Sequence, residues 1–557
     1  MIRLLSLLFR KHPALRFLLL PLGFLVFSLF FSVISLAFNR KPTIDSINPA
    51  IGEPGEIMLI RGDNFGDEMG DSWVEIAGER LTASTSLSWT DTLIKIALPS
   101  TVSDGLLYVR THNGKSNPEL FANRENIPVS VNERTDPGLP SIAGIGSQQG
   151  AVGDSVTISG SNFGLTRNQS QVFFSWQLDP AIPRSGQTQS ELSVIPCSDY
   201  DFDYEYWSDQ EIRVRVPDGA GSGNVYVRTE RGMSNGMPFT VQNPVGTKKF
   251  GAKRTYVIST EVSVTNVVAA GDNILYLRIP RPVETASQQG IDISASSVEP
   301  YMKDYKGSIL HRLDNLIEGD KKRITHSFIM TGYSTECAIN PAKVKAYSRT
   351  DSPLYTAYTA PDALVPSGDP GIAEKGAEIV KKEKNPYRKA EAIYKWVTEN
   401  VAWTRDVPAN RTAGQTLAAL NGDSQDLAVL FCALARAQGI PSIPVAGLLV
   451  DSTRNSAVHW WAEFYVEGFG WVPVDLAIPA GGATAGEGGK TESTFGSLDV
   501  NHIAFTRGWA NEPPMLPNSK IVWRNRSWAS QPVWEEAAGN ISGYTSYWAE
   551  PKIAGVY

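Results

Sequence analysis

Three residues in the last quarter of the chain could carry chemistry together: Ser424, His459 and Asp475. A hydroxyl attacks a carbonyl well only when a base removes its proton. A histidine can be that base, and a carboxylate can hold the imidazole in the required tautomer. The residue types therefore fit hydrolysis or acyl transfer at an amide or ester. The three are far apart in sequence, so folding must gather them.

The elements around them can do so. Asp423 begins a helical pattern that runs through Leu427, Leu430, Phe431 and Leu434 and stops at Gly439 and Pro441. Ser424 then lies in the first helical turn. Residues His459 to Val466 and Trp471 to Asp475 flank the turn-like Glu467-Gly468-Phe469-Gly470, which predicts a hairpin with His459 and Asp475 roughly opposite each other. Upstream, Asn385-Pro386 is an N-cap followed by proline at the first helical position. Ala390, Ile393, Tyr394 and Val397 continue it as an amphipathic helix to about Asn400.

Other candidate residues have plainer readings. Gly232-Met233-Ser234-Asn235-Gly236 has the spacing of a nucleophile elbow, but such an elbow needs a following helix, and this stretch lies in a β repeat. Cys432, two turns into the same helix as Ser424, reads as a small buried hydrophobe. His311 and His326 lie outside the motif, and His502 reads as structural. Trp460, Trp461 and Trp471 either wall a cleft or pack a core hairpin. Cys197, Cys337 and Cys432 form no CxxC pair, and no H-E-x-x-H or phosphate-cradling loop occurs, so no metal or other cofactor is expected.

At 557 residues the chain is too long for one core. Its 51 basic and 58 acidic residues give a net charge of −7, against a nucleic-acid partner. The 48 glycines and 35 prolines favour turn-rich β structure. Residues 17–38 carry no charge and would span about 33 Å as a helix, against a bilayer core of about 30 Å. Arg3, Arg10, Lys11 and Arg16 precede this run, and Arg40 and Lys41 follow. The heavier basic flank predicts a transmembrane signal-anchor with a cytoplasmic N-terminus and the bulk of the chain periplasmic or extracellular. Ser35-Leu36-Ala37 offers the alternative of a cleaved signal peptide, which exports the same residues.

Residues 42–66 recur at 140–164, including Gly62, Asn64, Phe65 and Gly66 as Gly160, Asn162, Phe163 and Gly164. Trp89 to Pro99 recurs as Trp207 to Pro217, and Tyr108-Val109-Arg110-Thr111 as Tyr226-Val227-Arg228-Thr229. The second blocks are offset by about 20 residues more than the first, so the second copy holds an insertion. Period-2 alternation such as Ile94-Lys95-Ile96 predicts strands of a β-sandwich. Pro-x-Ile-x-x-Ile followed by G-x-N-F-G resembles the IPT/TIG immunoglobulin-like family over 42–130 and 138–242. Within the insertion, Asp199 to Trp207 alternates acids with aromatics. It reads as a strand with buried rings and solvated acids, or as a partner-binding edge.

Gly422-Asp423-Ser424-Gln425-Asp426, His459-Trp460-Trp461-Ala462-Glu463 and Gly470-Trp471-Val472-Pro473-Val474-Asp475 together resemble the transglutaminase-like superfamily, with its papain-like core. Phe495-Gly496-Ser497-Leu498-Asp499 and His502-Ile503-Ala504-Phe505 resemble a downstream block of its bacterial members. The resemblance implies a Cys–His–Asp triad, and the chain departs from it by having Ser424 where the family has cysteine. A thiol at a helix N-terminus beside an imidazolium ionises near neutrality, whereas a serine hydroxyl does not. The helix end offers a negative charge only about 0.3–1 kcal/mol, too little to make an alkoxide.

The expected architecture is multidomain. It comprises residues 1–41 as tail and anchor, two Ig-like sandwiches at 42–130 and 138–242, a β-rich region at 250–370 and an α+β transglutaminase-like core at 371–557. Three functions remain open: a cell-envelope protein whose degenerate core binds peptide or protein outside the cytoplasm, a Ser-His-Asp amide hydrolase or acyltransferase, and a surface spacer.

Overall fold

The computed structural model describes residues 40–52, 54–82, 85–99, 101–123, 138–177, 194–482, 494–508 and 514–557. The proposed anchor at 17–38 lies outside them. Among the described residues no helix is long and apolar enough to cross a membrane. These residues divide into two compact units, one holding 40–123 and the other holding the residues from 138 onward.

The first unit is a two-sheet sandwich. One sheet orders Thr43–Asn48, Ile57–Asp63, Leu93–Ala97 and Ser86–Trp89; the other is built on Gly105–Thr111 with Glu119–Asn123 and Trp73–Ile76 beside it. The second unit begins with the same sandwich, strand for strand. Alternation does what its period requires: Met58, Ile60, Ile94 and Ile96 are buried in one copy, and Val156, Ile158, Ile212 and Val214 in the other.

The repeated G-x-N-F-G has a physical cause at each position. A side chain at Gly62 would meet the Thr43 carbonyl oxygen at 1.9 Å, and at Gly160 the Ser141 carbonyl at 2.0 Å. Asn64 and Asn162 both sit in the left-handed region at φ 62°. Phe65 and Phe163 plug the two cores.

Ser234 is also explained by the repeat. Its Oγ accepts from the Val227 N–H at 2.9 Å and donates to the Asn235 carbonyl at 2.8 Å, as Ser116 does with Val109 and Asn117. It ties down a strand end.

The insertion of the second copy departs from the sequence expectation. Only Tyr204–Trp207 is a strand, and it is Asp201 and Asp203 that are buried while Tyr200 and Tyr206 are exposed. Asp201 faces inward because it accepts from the Trp471 indole N–H at 2.9 Å and pairs with Arg507 at 3.3 Å. The acid docks the sandwich onto the core that follows.

A long, bulged strand, β1 (Gly246–Pro280), then pairs over its first half, Gly246 to Val264, with β2 (Lys322–Ile339). Its other neighbours include Ser308–Asp314 and, from the far end of the chain, Glu535–Trp548 and Lys552–Val556. Residues 535–556, which sequence reading groups with the core, thus complete the sheet of the preceding β region.

Five helices follow: α1 (Pro353–Thr359), α2 (Pro370–Val380), α3 (Pro386–Asn400), α4 (Ala413–Ala419) and α5 (Ser424–Ala437). Asn385 caps α3 by accepting from the Arg388 N–H, with Pro386 first in the helix; Ala390, Ile393 and Val397 are buried. Helix α5 is buried almost all round, which a helix tolerates only at the centre of a domain. It stops at Gly439, whose φ of +74° suits glycine.

An antiparallel sheet covers α5, in the order β5 (Gly470–Val474), β4 (Ser456–Val466), β3 (Ser442–Val450) and β6 (His502–Arg507). Trp460, Ala462 and Phe464 of β4 join the cluster around α5. On alternate positions, Trp461 packs with Val445, Ala504, Val283 and Leu498 on the opposite face.

Candidate active site

Helix α5 places Ser424 at its first position. Asp423 is the N-cap, accepting from the Asp426 N–H at 3.0 Å, while the Asp426 carboxylate accepts from the Asp423 N–H at 3.2 Å. This reciprocal box satisfies two donors that a helix start otherwise leaves open. Arg526, from a distant segment, lies across both acids, its guanidinium 2.9 Å from Asp426 and also paired with Asp423. Burial pushes the Asp426 carboxyl up, against the pull of Arg526.

The Ser424 side chain is 9% exposed, and its Oγ accepts from the Trp460 N–H at 3.2 Å. Among the described residues no hydrogen bond joins Ser424 to His459. The indole N–H of Trp460 donates to the Ser527 carbonyl at 2.8 Å, so the segment carrying Arg526 is held on both sides of the serine.

His459 and Asp475 do meet. The histidine Nε2 lies 2.6 Å from Asp475 Oδ2, which leaves Nδ1 free of that carboxylate. The two are not directly opposite in register, because Val474 pairs with Ala462 and β5 ends there, which leaves Asp475 in the following turn. That turn fixes the acid: Oδ1 accepts from the Ala477 N–H at 2.8 Å and the Ile478 N–H at 3.2 Å.

Sequence reasoning missed the fourth member. His502, first residue of β6, brings its Nε2 to 3.0 Å from the same Asp475 Oδ2, and its Nδ1 to 2.9 Å from Asp499. Two imidazoles therefore share one carboxylate oxygen. Burial opposes charge on His502, but the bonds to Asp475 and Asp499 outweigh it and push its pKa up to about 9. Burial likewise opposes the charge on Asp475, yet His459 and His502 hold its carboxyl far below the usual range. His502 is thus pushed towards the imidazolium form between two carboxylates, Asp475 and Asp499. The i, i+3 pair Asp499 and His502 was the available sequence signal for this role. Arg526 had none, since its partners lie about a hundred residues earlier.

Donor atoms of His459, Asp475 and His502 lie within 4.8 Å of one another, the one such His/Asp group among the described residues. Both imidazoles address a single carboxylate oxygen at hydrogen-bond distances of 2.6 and 3.0 Å, closer than the roughly 3.3 Å that two atoms about 2.0–2.2 Å from one tetrahedral ion would keep. The set is built to share protons.

The remaining candidates lie elsewhere. Cys432 is fully buried, and burial pushes its thiol up to about 12. His311 and His326 form a buried pair with their Nε2 atoms 2.9 Å apart, and burial drives their pKa values down to about 4 and about 3. Trp460 is core packing, while Trp461 and Trp471, also little exposed, edge a neighbouring cavity.

Residues 373–476 match the Transglutaminase-like superfamily, and residues 42–122 match the IPT/TIG domain. The chain thus carries a transglutaminase-like domain behind immunoglobulin-like ones. It is 32% identical over 184 residues to an uncharacterized protein of Haemophilus influenzae, covering 27% of this chain and 49% of that one. The chain thus spans about half the length of that relative. A 78-residue stretch is 33% identical to a cyclomaltodextrin glucanotransferase of Bacillus sp., covering 14% of this chain and 11% of the enzyme. Among solved structures, one from Cytophaga hutchinsonii described as a candidate cysteine protease overlaps at a TM-score of 0.37 and 15% identity, covering 56% of this chain and 93% of its own. SGBP-B of Bacteroides uniformis, from a xyloglucan utilization locus, overlaps at a TM-score of 0.14 and 11% identity, covering 53% of this chain and 99% of its own.

Proposed function

We propose that this chain is a cell-envelope protein, held in a membrane through residues 17–38 with its bulk outside the cytoplasm, whose transglutaminase-like domain binds peptide or protein without efficient chemistry. One observation carries the catalytic part of the reading: Asp475 is shared. In a working triad the carboxylate supports the positive charge that appears on the base as it takes the nucleophile's proton. Here a positive charge formed on His459 would stand beside His502, whose ring centroid is 5.6 Å away and whose own raised pKa leans on the same Asp475 as well as on Asp499. Ser424 adds a second obstacle: among the described residues its Oγ accepts from the Trp460 N–H, and no hydrogen bond carries its proton to His459. Serine, unlike the family's cysteine, cannot compensate by ionising first.

The full-length protein treated with a fluorophosphonate probe is expected to remain unlabelled. Labelling that vanishes in Ser424→Ala would overturn this reading. It would favour the alternative of a Ser-His-Asp amide hydrolase or acyltransferase, which the free Nδ1 of His459 supports. In Ser424→Cys, amide turnover would show that ligands reach the Ser424 cleft. The anchor is tested separately: the chain should resist carbonate extraction from membranes, and deleting residues 17–38 should release it.

A further inference from the structure

A cavity of about 570 Å³ opens where the second sandwich, the β region and the core sheet meet. Ser424 does not line it, but His502 and Asp499 do. Its size falls in the range of about 300–1,000 Å³ usual for small-molecule sites. Much of its wall comes from connecting segments, among them 197–201, 281–287 and 306–307. The wall is braced: the Gln288 amide donates to the Val283 and Ala504 carbonyls at 2.8 Å each and accepts from the Ala504 N–H at 2.9 Å.

The charges on this wall indicate what fits. Lys248 pairs with Asp218, Arg281 with Asp304 at 3.2 Å, and Arg507 with Glu463 at 2.7 Å and Asp201 at 3.3 Å. His502 pairs with Asp499 at 2.9 Å. A site for an anion would hold an unmatched cation, and a site for an amine an unmatched acid at its floor. Four cations here face five paired carboxylates, and burial pushes Asp201 among them, and Glu284 beside them on the wall, up towards the neutral form. A carboxylate has about four lone-pair positions and a guanidinium five N–H groups, so each paired side chain keeps hydrogen-bonding capacity without net charge to offer. Tyr200, 41% exposed on the wall, adds an aromatic ring. A bound peptide would favour an open strand edge for main-chain pairing, and connecting segments do not supply one.

We propose that this cavity binds a neutral, polyhydroxylated ligand, a short oligosaccharide, and that it does so independently of Ser424. Hydroxyls both donate and accept, matching a wall of paired acids and bases, and a sugar ring can lie against Tyr200. The ligand would touch all three parts of the second unit and come within reach of the His502–Asp475 network.

Isothermal titration of the full-length protein with maltotriose, cellotriose and chitotriose, and with trialanine and trilysine for comparison, tests this. At least one neutral trisaccharide is expected to bind saturably, and Arg281→Ala and Ser287→Trp should each weaken it at least tenfold with an unchanged thermal melt. Ser424→Ala should leave it intact, so the result does not depend on the reading of the catalytic residues. Absence of saccharide binding, binding by the peptides only, or affinity untouched by both cavity substitutions would overturn the proposal.

Discussion

At the residue scale, the His459–Asp475 pair does not stand alone. His459 and Asp475 stand 2.6 Å apart, as a triad requires, yet the carboxylate serves a second imidazole. This gives a pH signature. The folded-state pKa of His502, about 9, exceeds the ordinary 6.5, so the stability its charge contributes is complete below about pH 6.5 and is lost as pH rises through 9. The amount is on the order of 3 kcal/mol. Urea melts of wild type and His502→Ala should therefore differ most at pH 6 and converge towards pH 10; a constant gap would remove His502 from this role. The His459–Asp475 contact was legible because the two flank one hairpin, whereas Ser424 stands at a helix start with no hydrogen bond to His459 among the described residues. His502 was not legible, because it starts one edge strand of the sheet while Asp475 follows the other.

At the scale of elements, helix starts were the most readable features. Asn385-Pro386 and Asp423 cap where their side chains dictate. Helices α1, α2 and α4 carry equivalent signals in Ser352-Pro353, Asp369-Pro370 and the box of Thr412 with Gln415, but α1 and α4 are only seven residues long, and α2 buries just Ile372, Gly376 and Val380. The α5 cap is worth testing because it also holds Arg526. Asp423→Ala should cost about 1–2 kcal/mol in a denaturant melt, at the upper end for a cap. Arg526→Ala should cost less than the cap, because Asp426, already pushed up by burial, can take a proton in its place. Equal or reversed costs would mean that the arginine, and not the capping bond, carries the helix start. The run from Asp199 to Trp207 was misread for a different reason. An alternating strand normally points acids to solvent, and the partners that draw Asp201 inward, Trp471 and Arg507, lie 270 and 306 residues away.

Across the whole second unit, the joints are polar and buried. Arg507 neutralises Asp201 from the sandwich and Glu463 from the core, all with little exposure. Removing one partner of a buried set leaves the others uncompensated, so Arg507→Ala should cost about 3–5 kcal/mol. A loss below 1 kcal/mol would show that water replaces the guanidinium. The repeat made both sandwiches legible, since each G-x-N-F-G meets its own steric demand. The β region was readable as strands but not in its closure, because nothing local marks Glu535–Trp548 as the partner of β1. Ending the chain at residue 534 removes two of the strands that flank β1 and should leave the second unit without a cooperative melt.

That closure sets an order of events in time. Asn266 meets Thr545 across 279 residues of chain, so the sheet begun by β1 stays open until those residues have been made. Each non-local pairing must first meet the entropy of closing its loop, which slows β-rich topologies. The first sandwich can fold as it emerges, whereas the β region must wait with its edge exposed while the core inserted in it is synthesised. If, as proposed, the chain crosses a membrane unfolded, such a late-fitting keystone keeps the β region open until residues 535–556 have followed it.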